Sequence, residues 1–324
     1  MNILFSAAGR RVSLLRHFKT TMSDLGLQGK IIASDIGNTA PASYVADMKV
    51  ITPRCSSPDY ISTLLELCEA HQVKLLTSLI DTDLLLLSQH KKDFECIGTK
   101  LLICSEETNA ICADKQKTAE FFSANNIATP HVYNEDEALN LSMDKYPLLI
   151  KPFDGSSGVG VTKIETRDNL LFFSKYINNA MIQEFIEGDE YTIDVYVDFN
   201  GNTRCAVPRK RIEIRGGEVS KGVTVKDKAI MTAACEVVEA LPGAIGCVTV
   251  QCFKQNDGQL KFIEINPRFG GGFPLAIHAG ADFPKWIIQE LSIGKCDAKM
   301  DAWVDDTAML RYDAEIIVSG ADLA

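Results

Sequence analysis

The fold is decided by a stretch near the end of the chain, Ile245–Gly272, with the sequence IGCVTVQCFKQNDGQLKFIEINPRFGGG. Its segment Asn256–Gln259 separates two strand-like runs, and an Asp-Gly pair between such runs indicates a two-residue hairpin turn. A turn of that length places Gln251 directly opposite Glu264. Because opposed residues share one face of a sheet and side chains alternate with a period of two, Asn266 joins that face. The hairpin therefore gathers three polar side chains on one surface.

These three side chains form a candidate metal site. One carboxylate and two amide oxygens make an all-oxygen set, which suits Mg²⁺ that carries nucleotide phosphates. A solvent-exposed strand face would also carry polar residues, but here Arg268 and a run of three glycines follow directly. We therefore predict Gln251, Glu264 and Asn266 as metal ligands.

A second candidate site lies in PLLIKPFDGSSGVGVTKI, Pro147–Ile164. An apolar strand leads to Lys151, and the loop after it contains Gly155, Gly158 and Gly160. Small residues let backbone N–H groups approach phosphate oxygens, and the lysine adds a positive charge. A Walker A loop has a different order, because its lysine follows the glycines and leads into a helix. The segment predicts a phosphate-binding loop, and an ordinary hairpin turn is the alternative.

A third segment, MIQEFIEGDEYTIDVYVD at Met181–Asp198, joins a short extended run to a strictly alternating strand through a Glu-Gly-Asp turn. Such a linker can offer backbone groups to a flat heterocycle. A carboxylate at the start of the next strand can accept both hydroxyl groups of a ribose. A plain hairpin with solvated acids is the alternative.

Charge is unevenly distributed along the chain. The net charge of −10 argues against nucleic acid or an anionic membrane as a partner. Between Arg204 and Lys228, however, eight basic residues stand against three acidic ones. This concentration predicts an anion pocket for a triphosphate or a carboxylate substrate, although a solvated face would explain some of the residues.

The first third of the chain alternates strands with helices, which predicts an open parallel sheet up to about residue 104. The patterns indicate strands at 2–5, 30–35 and 73–81, and helices at 12–25, 60–70 and 84–90. Ligands of such sheets lie at the carboxyl ends of the strands, where Asp35, Asp81 and Asp83 stand. Helix caps or turns are the alternative for each of them. Arg10 and Arg11 after the first strand either hold an anion or lie in a solvated turn.

The remaining segments are predicted from local signals. Asp114 is a good N-cap for a helix through about Ala124. Strands and turns are expected to dominate from Pro147 to Pro267, and a final helix is expected over Phe283–Leu291. The run MLRYDAEIIV at 309–318 is strand-like. The length of 324 residues suggests two or three domains.

The ten cysteines are scattered and contain no Cys-x-x-Cys pair, so neither a zinc site nor a disulfide framework is indicated. The first residues lack the charge order of a secretory signal, and no apolar run has the length of a membrane span. We expect a cytoplasmic protein with reduced thiols and no membrane partner.

Four elements occur in an order that resembles the ATP-grasp superfamily. They are Asp114-Lys115 at a helix start, KPFDGSSGVG, QEFIEGDEY, and Gln251 followed by EINPR. Within that superfamily, the chain is similar to the ATP-binding half of the carbamoyl-phosphate synthase large subunit and to carboxylate-amine ligases. The resemblance implies an α/β fold with an N-terminal parallel-sheet (pre-ATP-grasp) domain over 1–104. Two α+β ATP-grasp lobes with antiparallel sheets would follow over 105–180 and 181–324.

The resemblance also implies a role for individual residues. It assigns Gln251, Glu264 and Asn266 to the metal, and it assigns Arg268 and Lys151 to the transferred phosphate. Arg209 or Arg211 would support the triphosphate or hold the substrate carboxylate, and the choice stays open. The residues implied to bind ATP are Lys115, Lys151, Ser156, Ser157, Gly158, Glu184, Phe185, Ile186, Glu190, Arg209 and Arg211.

The function implied is that of an ADP-forming, carbon-nitrogen bond-forming ligase that uses ATP and Mg²⁺, with Mn²⁺ as a substitute. A small-molecule carboxylate would become an acyl phosphate, and an amine would displace the phosphate. Phosphorylation of bicarbonate or carbamate is one alternative, and nucleotide binding without turnover is another. Asp35, Asp81 and Gly270–Pro274 are candidates for the substrate walls. His278 is expected to pack at a helix end, and contact with the acyl phosphate is the alternative. A homodimer is the assembly that the resemblance suggests.

Overall fold

This computed structural model describes residues 1–155 and 158–323. The first part of the chain forms a sheet with the strands β1 (Asn2–Ser6), β2 (Ile31–Asp35), β3 (Met48–Ile51), β4 (Val73–Ser78) and β5 (Lys100–Leu101). All five run parallel in the order β3-β2-β1-β4-β5. Four helices accompany them, α1 (Val12–Asp24), α2 (Tyr60–Ala70), α3 (Leu84–Gln89) and α4 (Lys91–Cys96). The predicted parallel sheet is confirmed.

Strand β1 lies at the centre of this sheet because both of its faces are apolar. Ile3 and Phe5 pack on one side with Phe18 of α1, and the ring centroids of Phe5 and Phe18 lie 4.9 Å apart. Leu4 packs on the other side with Leu64 of α2. The central residues of β1 are therefore completely buried, as expected for a parallel sheet with helices on both faces.

A buried polar network holds the carboxyl ends of β1 and β4 together. The carboxylate of Asp83 is completely buried and accepts hydrogen bonds from Tyr60 Oη (2.6 Å), Ser78 Oγ (2.6 Å) and Ser6 Oγ (3.1 Å). Burial raises the pKa of Asp83, and the three hydroxyl donors oppose that shift. The network fixes the loop between β4 and α3, which also contains Asp81.

The middle of the chain forms a smaller antiparallel sheet. Its strands are β6 (Val132–Tyr133), β7 (Leu148–Pro152), β8 (Thr162–Ile164) and β9 (Ala180–Glu184), in the order β6-β9-β7-β8. The helices are α5 (Glu106–Cys112), α6 (Lys115–Ala124), α7 (Glu135–Leu139) and α8 (Arg167–Tyr176). The side chain of Asp114 accepts hydrogen bonds from the backbone N–H groups of Gln116 (2.8 Å) and Lys117 (3.3 Å), which confirms the predicted N-cap of α6.

The largest sheet is antiparallel and comes from the second half of the chain. Its strands are β10 (Asp189–Val197), β11 (Thr203–Arg215), β12 (Glu218–Thr224), β13 (Gly246–Lys254), β14 (Leu260–Asn266) and β15 (Ala308–Leu310). They follow the order β14-β13-β10-β11-β12-β15. The helices α9 (Lys228–Glu239), α10 (Pro274–His278) and α11 (Phe283–Ile293) belong to this part. Its core is continuous with the α1 side of the parallel sheet, where Phe18 contacts Phe269.

The hairpin of β13 and β14 has the predicted pairing but not the predicted turn. Gln251 lies opposite Glu264, as expected. A backbone hydrogen bond of 2.9 Å between Gln255 and Gln259, however, closes a three-residue loop instead of a two-residue one. Ile263 is the extra residue of a bulge that shifts the register by one in the opposite sense. The two one-residue differences cancel, so the polar residues still meet on one face.

Strands and turns dominate Pro147–Pro267, as predicted, although the segment also contains α8 and α9. Helix α9 had a recognisable signal, since Asp227 caps it and buried Ile230, Ala234 and Val238 recur at helical spacing. The strand-like run at 309–318 pairs only through β15, which ends at Leu310.

Each of the ten cysteines, all of which lie in the described part of the chain, is a free thiol. Burial raises the pKa of the Cys104 thiol to about 11, so this thiol stays protonated at neutral pH. A search of the described helices for a segment able to cross a membrane found none that is long and apolar enough.

We expect Tyr60→Phe to lower the free energy of unfolding by about 1–3 kcal/mol, because the buried Asp83 carboxylate then loses the hydrogen bond of 2.6 Å that the ring hydroxyl donates. Urea unfolding measures this change. Tyr312→Phe is the matched control, since Tyr312 is 85% exposed and should change the stability by less than about 0.5 kcal/mol. Equal stability of the two variants would contradict the role of the network.

Candidate active site

A cavity of about 630 Å³ lies between the two antiparallel sheets and the carboxyl edge of the parallel sheet. Most of the predicted site residues line it, although they come from distant parts of the chain. They are Lys115, Lys151, Gly158, Phe185, Ile186, Glu190, Arg209, Arg211, Gln251, Glu264, Asn266 and Arg268. Glu184 is absent from the described lining, and Ser156 and Ser157 lie outside the described residues.

The three predicted metal ligands face the cavity from β13 and β14. The amide oxygen of Gln251 accepts a hydrogen bond from Arg211 Nη1 (3.0 Å), and that of Asn266 accepts one from Arg268 Nη2 (3.2 Å). Glu264 adds the carboxylate. No described group of three or more His, Cys, Asp or Glu side chains has the arrangement of a metal site. One carboxylate and two amide oxygens are donors of the kind that suits a Mg²⁺ ion, which commonly takes its other ligands from phosphates and water.

Two lysines reach the cavity from the smaller sheet and its helix. Lys151 lies on β7 and is buried, and burial lowers the pKa of Lys151 to about 8. The Glu264 carboxylate opposes this shift, and the Lys115 ammonium adds to it. Lys115 Nζ donates to the carbonyl of Gly155, at the start of the predicted phosphate-binding loop. An anionic phosphate between the two lysines would relieve their mutual repulsion.

The residues predicted to bind a flat heterocycle, Glu184–Ile186, lie at the end of β9 and in the linker after it, and only two of their side chains face the cavity. Phe185 and Ile186 line the cavity. The side chain of Glu184 turns away and accepts from the backbone N–H of His131 (3.2 Å), with Lys261 Nζ at 3.4 Å. Its contribution to a heterocycle site is thereby limited to the backbone.

Arg211 and Glu190 form a partly buried ion pair at the cavity wall, with Nη1 and Oε1 2.9 Å apart. Burial raises the pKa of Glu190, Arg211 opposes that shift, and Glu264 adds to it. The carboxylate that the resemblance assigns to ribose thus already has a cationic partner.

Arg209 differs from Arg211 in that it is held inside the protein. It is 1% exposed, and its Nε and Nη2 donate to the two carboxylate oxygens of the buried Asp194, at 2.6 Å and 3.0 Å. Asp194 was missed in the sequence, although it shares the alternation of Glu190 and Thr192 on β10 and is therefore on the same strand face.

The basic segment is therefore much less positive than its composition suggests. Six of its eight basic residues pair with carboxylates, and only Arg209 and Arg211 of the eight line the described cavity wall. The pairs are Arg204–Asp198, Arg209–Asp194, Lys210–Asp189, Arg211–Glu190, Arg215–Asp313 and Lys221–Glu213.

Arg268 is paired with Asp81 of the parallel-sheet domain, at 2.6 Å between Nη2 and Oδ2. Burial by itself would lower the pKa of Arg268, but the carboxylates of Asp81 and Glu264 outweigh it and raise that pKa. Of the predicted substrate walls, Asp81 and Gly270–Gly272 line the cavity. Phe273 is instead a core residue, at 0% exposure.

Two other candidates lie elsewhere among the described residues. Asp35 accepts hydrogen bonds from the backbone N–H groups of Gly9 and Ile36, both at 2.8 Å, so it fixes a turn of the parallel sheet. His278 ends α10 and packs edge-on against His17 with ring centroids 5.0 Å apart, in agreement with the packing role expected for it.

Comparison with known proteins agrees with this arrangement. Two family models match the chain, a PylC-like N-terminal domain over residues 3–102 and an ATP-grasp domain over residues 112–272. The chain therefore contains an ATP-grasp domain after a PylC-like N-terminal domain. This confirms the resemblance stated from the sequence motifs. Proteins of the superfamily are ATP-dependent ligases, and ATP and Mg²⁺ are their usual cofactors.

Individual relatives of this ATP-grasp chain match it over part of their length. It is 31% identical to a D-alanine–D-alanine ligase from Clostridium perfringens over 108 residues, 31% of this chain and 36% of that protein. It is 27% identical to a carbamoyl-phosphate synthase from Methanobrevibacter smithii over 213 residues, 59% of this chain and 56% of that protein. The matches thus span from about a third to somewhat over half of these relatives.

A solved structure shows the same fold over almost the whole chain. It is the biotin carboxylase domain of the Hydrogenobacter thermophilus 2-oxoglutarate carboxylase, in complex with MgADP, ADP and bicarbonate. The TM-score is 0.75 at 16% identity, and the match covers 94% of this chain and 73% of that one. The likeness establishes the ATP-grasp fold.

We expect Lys151→Met to stabilise this ATP-grasp protein at pH 7. A shift of the lysine pKa from 10.5 to about 8 corresponds to about 3 kcal/mol at neutral pH. Because the folded state binds fewer protons than the unfolded state between those values, the penalty is complete below pH 8 and disappears as the pH rises past 10.5.

Urea unfolding at pH 7 and pH 10 measures this effect, and the gain should shrink at the higher pH. Lys117→Met replaces an exposed lysine on α6 and should show no such pH dependence. Lower stability of Lys151→Met at pH 7 would disprove the interpretation.

Arg209 and Arg211 should respond differently to substitution by methionine. Arg209→Met leaves the buried Asp194 without its counter-ion, so we expect a loss of about 3–5 kcal/mol in the free energy of unfolding. Arg211→Met should cost less stability and weaken MgADP binding, measured by calorimetry. Adding Asp194→Leu to Arg209→Met should restore much of the stability, and its failure to do so would contradict the assignment.

Proposed function

We propose that the chain is an ATP- and Mg²⁺-dependent carboxylate-amine ligase that forms an amide through an acyl phosphate. The observation that carries this proposal is the convergence of Lys115, Lys151, Glu264 and Arg268 on one cavity. Three cationic groups and a metal-binding carboxylate are the groups that phosphoryl transfer requires. The ATP-grasp fold supplies the same arrangement of two antiparallel sheets around the cavity.

The reaction would proceed in two displacements. A carboxylate oxygen of the acid attacks the γ-phosphorus of ATP, the bond to the β,γ-bridging oxygen breaks, and ADP leaves. The amine then attacks the acyl carbon, loses a proton, and expels inorganic phosphate. The described cavity lining contains no cysteine or histidine, which supports direct attack by the substrate over a covalent enzyme intermediate.

The residues of the chain would neutralise and position the reacting groups. Lys151 and Lys115 hold the phosphates, and Arg268 lies where charge develops on the transferred group. Mg²⁺ held by Glu264 and Asn266, with Gln251 beside them, would offset negative charge on the phosphate oxygens. Asp81 would act as a positioning residue, because its ion pair orients the Arg268 guanidinium toward the cavity.

The finer assignments belong to the same proposal. The substrates are a small-molecule carboxylate and a small-molecule amine, Mn²⁺ can replace Mg²⁺, and the protein acts in the cytoplasm as a homodimer. The division into 1–104, 105–180 and 181–324 gives the domains, with β9 extending the sheet of the first ATP-grasp lobe to Glu184.

Bicarbonate is the second candidate for the phosphorylated acid. The similarity to a carbamoyl-phosphate synthase over 59% of this chain favours it. This alternative requires ADP formation with bicarbonate alone, whereas the ligase requires an organic acid.

We expect Glu264→Gln to lower phosphate release at least about 100-fold while the protein still binds ATP, because the only carboxylate of the described metal face is lost. Phosphate release from MgATP, measured against panels of acids, amines and bicarbonate, tests the activity. With an acid labelled with ¹⁸O in its carboxylate, one label should appear in the released phosphate.

Glu213→Gln is the control, since Glu213 is exposed on β11 and pairs with Lys221 outside the cavity. It should keep the activity within about twofold. Release of unlabelled phosphate only, or no release with any member of the panels, would rule out the acyl-phosphate ligase.

A further inference from the structure

We infer that Arg11 forms an anion subsite that binds a free carboxylate of one substrate, a group other than the carboxylate that becomes phosphorylated. This inference rests on the proposed function for its substrates, but its binding test does not require turnover. It concerns the end of the cavity that the parallel-sheet domain forms, beyond Arg268.

Arg11 follows the first turn of the chain, where it occupies the N-cap position of α1. Its side chain lines the cavity, is 18% exposed and contacts the ATP-grasp sheet through Glu218, with 2.9 Å between Nη1 and Oε1. Neither Nε nor Nη2 of Arg11 makes a hydrogen bond to the residues that the structure describes. A guanidinium with unused donors in a fixed fork suits a carboxylate or phosphate.

Both carboxylate oxygens of Glu218, the partner of Arg11, accept hydrogen bonds from arginines. The second oxygen of Glu218 accepts from Arg311 Nη1 at 3.0 Å, so two guanidinium groups share one carboxylate. Burial would raise the pKa of Glu218, but Arg11 and Arg311 outweigh it and lower that pKa, so the carboxylate stays ionised. The cluster of Arg11, Glu218 and Arg311 therefore has one positive charge in excess.

The other arginines of the described cavity wall each have a carboxylate of their own. Arg209 has Asp194, Arg211 has Glu190, and Arg268 has Asp81. Burial lowers the pKa of Arg11, Glu218 opposes that shift, and the neighbouring Arg268 adds to it. Among the arginines of this wall, the uncompensated charge thus lies at Arg11, where an anion would neutralise it.

Backbone packing holds the cluster in place. A Cβ atom at Gly271 would lie 2.4 Å from Cδ of Glu218 and 2.6 Å from Nη1 of Arg11. The loop Gly270–Gly272 therefore packs directly on the ion pair between Arg11 and Glu218, and a larger residue at Gly271 would push Arg11 out of position. The loop consequently limits where the Arg11 guanidinium group can lie.

The carboxylate can belong to either substrate. A dicarboxylic acid would present its second carboxylate here, and an amino acid serving as the amine would present its own. Two probe pairs separate these sources, succinate against butyrate for the acid and alanine against alaninamide for the amine. Within each pair, mainly the free carboxylate differs.

The experiment compares Arg11→Gln, Arg11→Lys and Arg311→Gln with the unaltered chain. Binding is measured by calorimetry in the presence of MgADP, and phosphate release from MgATP is measured in parallel. Arg311→Gln is the matched control, because it removes the same charge from the same Glu218, while Arg311 is absent from the described cavity lining.

We expect the unaltered chain to bind the anionic member of one pair at least 10-fold more tightly than the neutral member. Arg11→Gln should abolish this preference and Arg11→Lys should retain part of it. Arg311→Gln removes the excess charge but leaves the Arg11 donors in place, so it should weaken the preference less than Arg11→Gln does. The affinity for MgADP should stay within about twofold in all three variants. The pair that shows the preference identifies the substrate that carries the anion.

Several results would overturn the inference. These are equal binding within both pairs, an unchanged preference in Arg11→Gln, or an equal loss in Arg311→Gln. Phosphate release that does not depend on Arg11 would contradict the anion subsite but not the proposed ligase function. Anion binding that depends on Arg11, without phosphate release from any mixture, would contradict the ligase function but not the subsite.

Discussion

The pairing register of β13 and β14 is the constraint on which the site depends. It sets Glu264 opposite Gln251, orients Asn266 to the same face, and starts the glycine loop directly after the strand. A slip of one residue would turn these polar side chains into the apolar core and bring Ile265 to the cavity. Arg268 and Gly271 would move with them. The bulge at Ile263 is therefore part of the site, although its own side chain contributes no polar group.

Local signals predicted much of the fold. The N-cap at Asp114, the alternation of strands with helices in the first third of the chain and the position of α11 were all predicted. Each of them follows from patterns within short segments. The hairpin pairing was also predicted, although the turn was not, because a compensating bulge leaves no clear mark in the sequence. Helix α9 shows that a capped, periodic segment can be hidden by strand-rich neighbours.

The partners of the charged residues were harder to predict. Asp81, Asp194 and Glu218 determine which arginines are free, and each of these pairs joins different strands or loops. Only Asp194 had a usable signal, because it is an even number of residues from Glu190 on β10 and therefore lies on the same face of that strand. Composition counted the basic residues of 204–228 correctly and still overstated the local charge. Net charge in a segment describes the cavity only after the pairing is known.

The ion pairs between the domains have a consequence for how a ligand enters. Arg268 is occupied by Asp81, so an anion that arrives at Arg268 exchanges with a carboxylate of the protein rather than filling an empty positive site. At Arg11, by contrast, an anion can add to the unused Nε and Nη2 donors while Glu218 stays in place. A neutral molecule of the same shape cannot make that exchange without leaving a buried charge alone. The cavity therefore selects its ligands by charge before it selects them by shape, and high salt should blur that selection first.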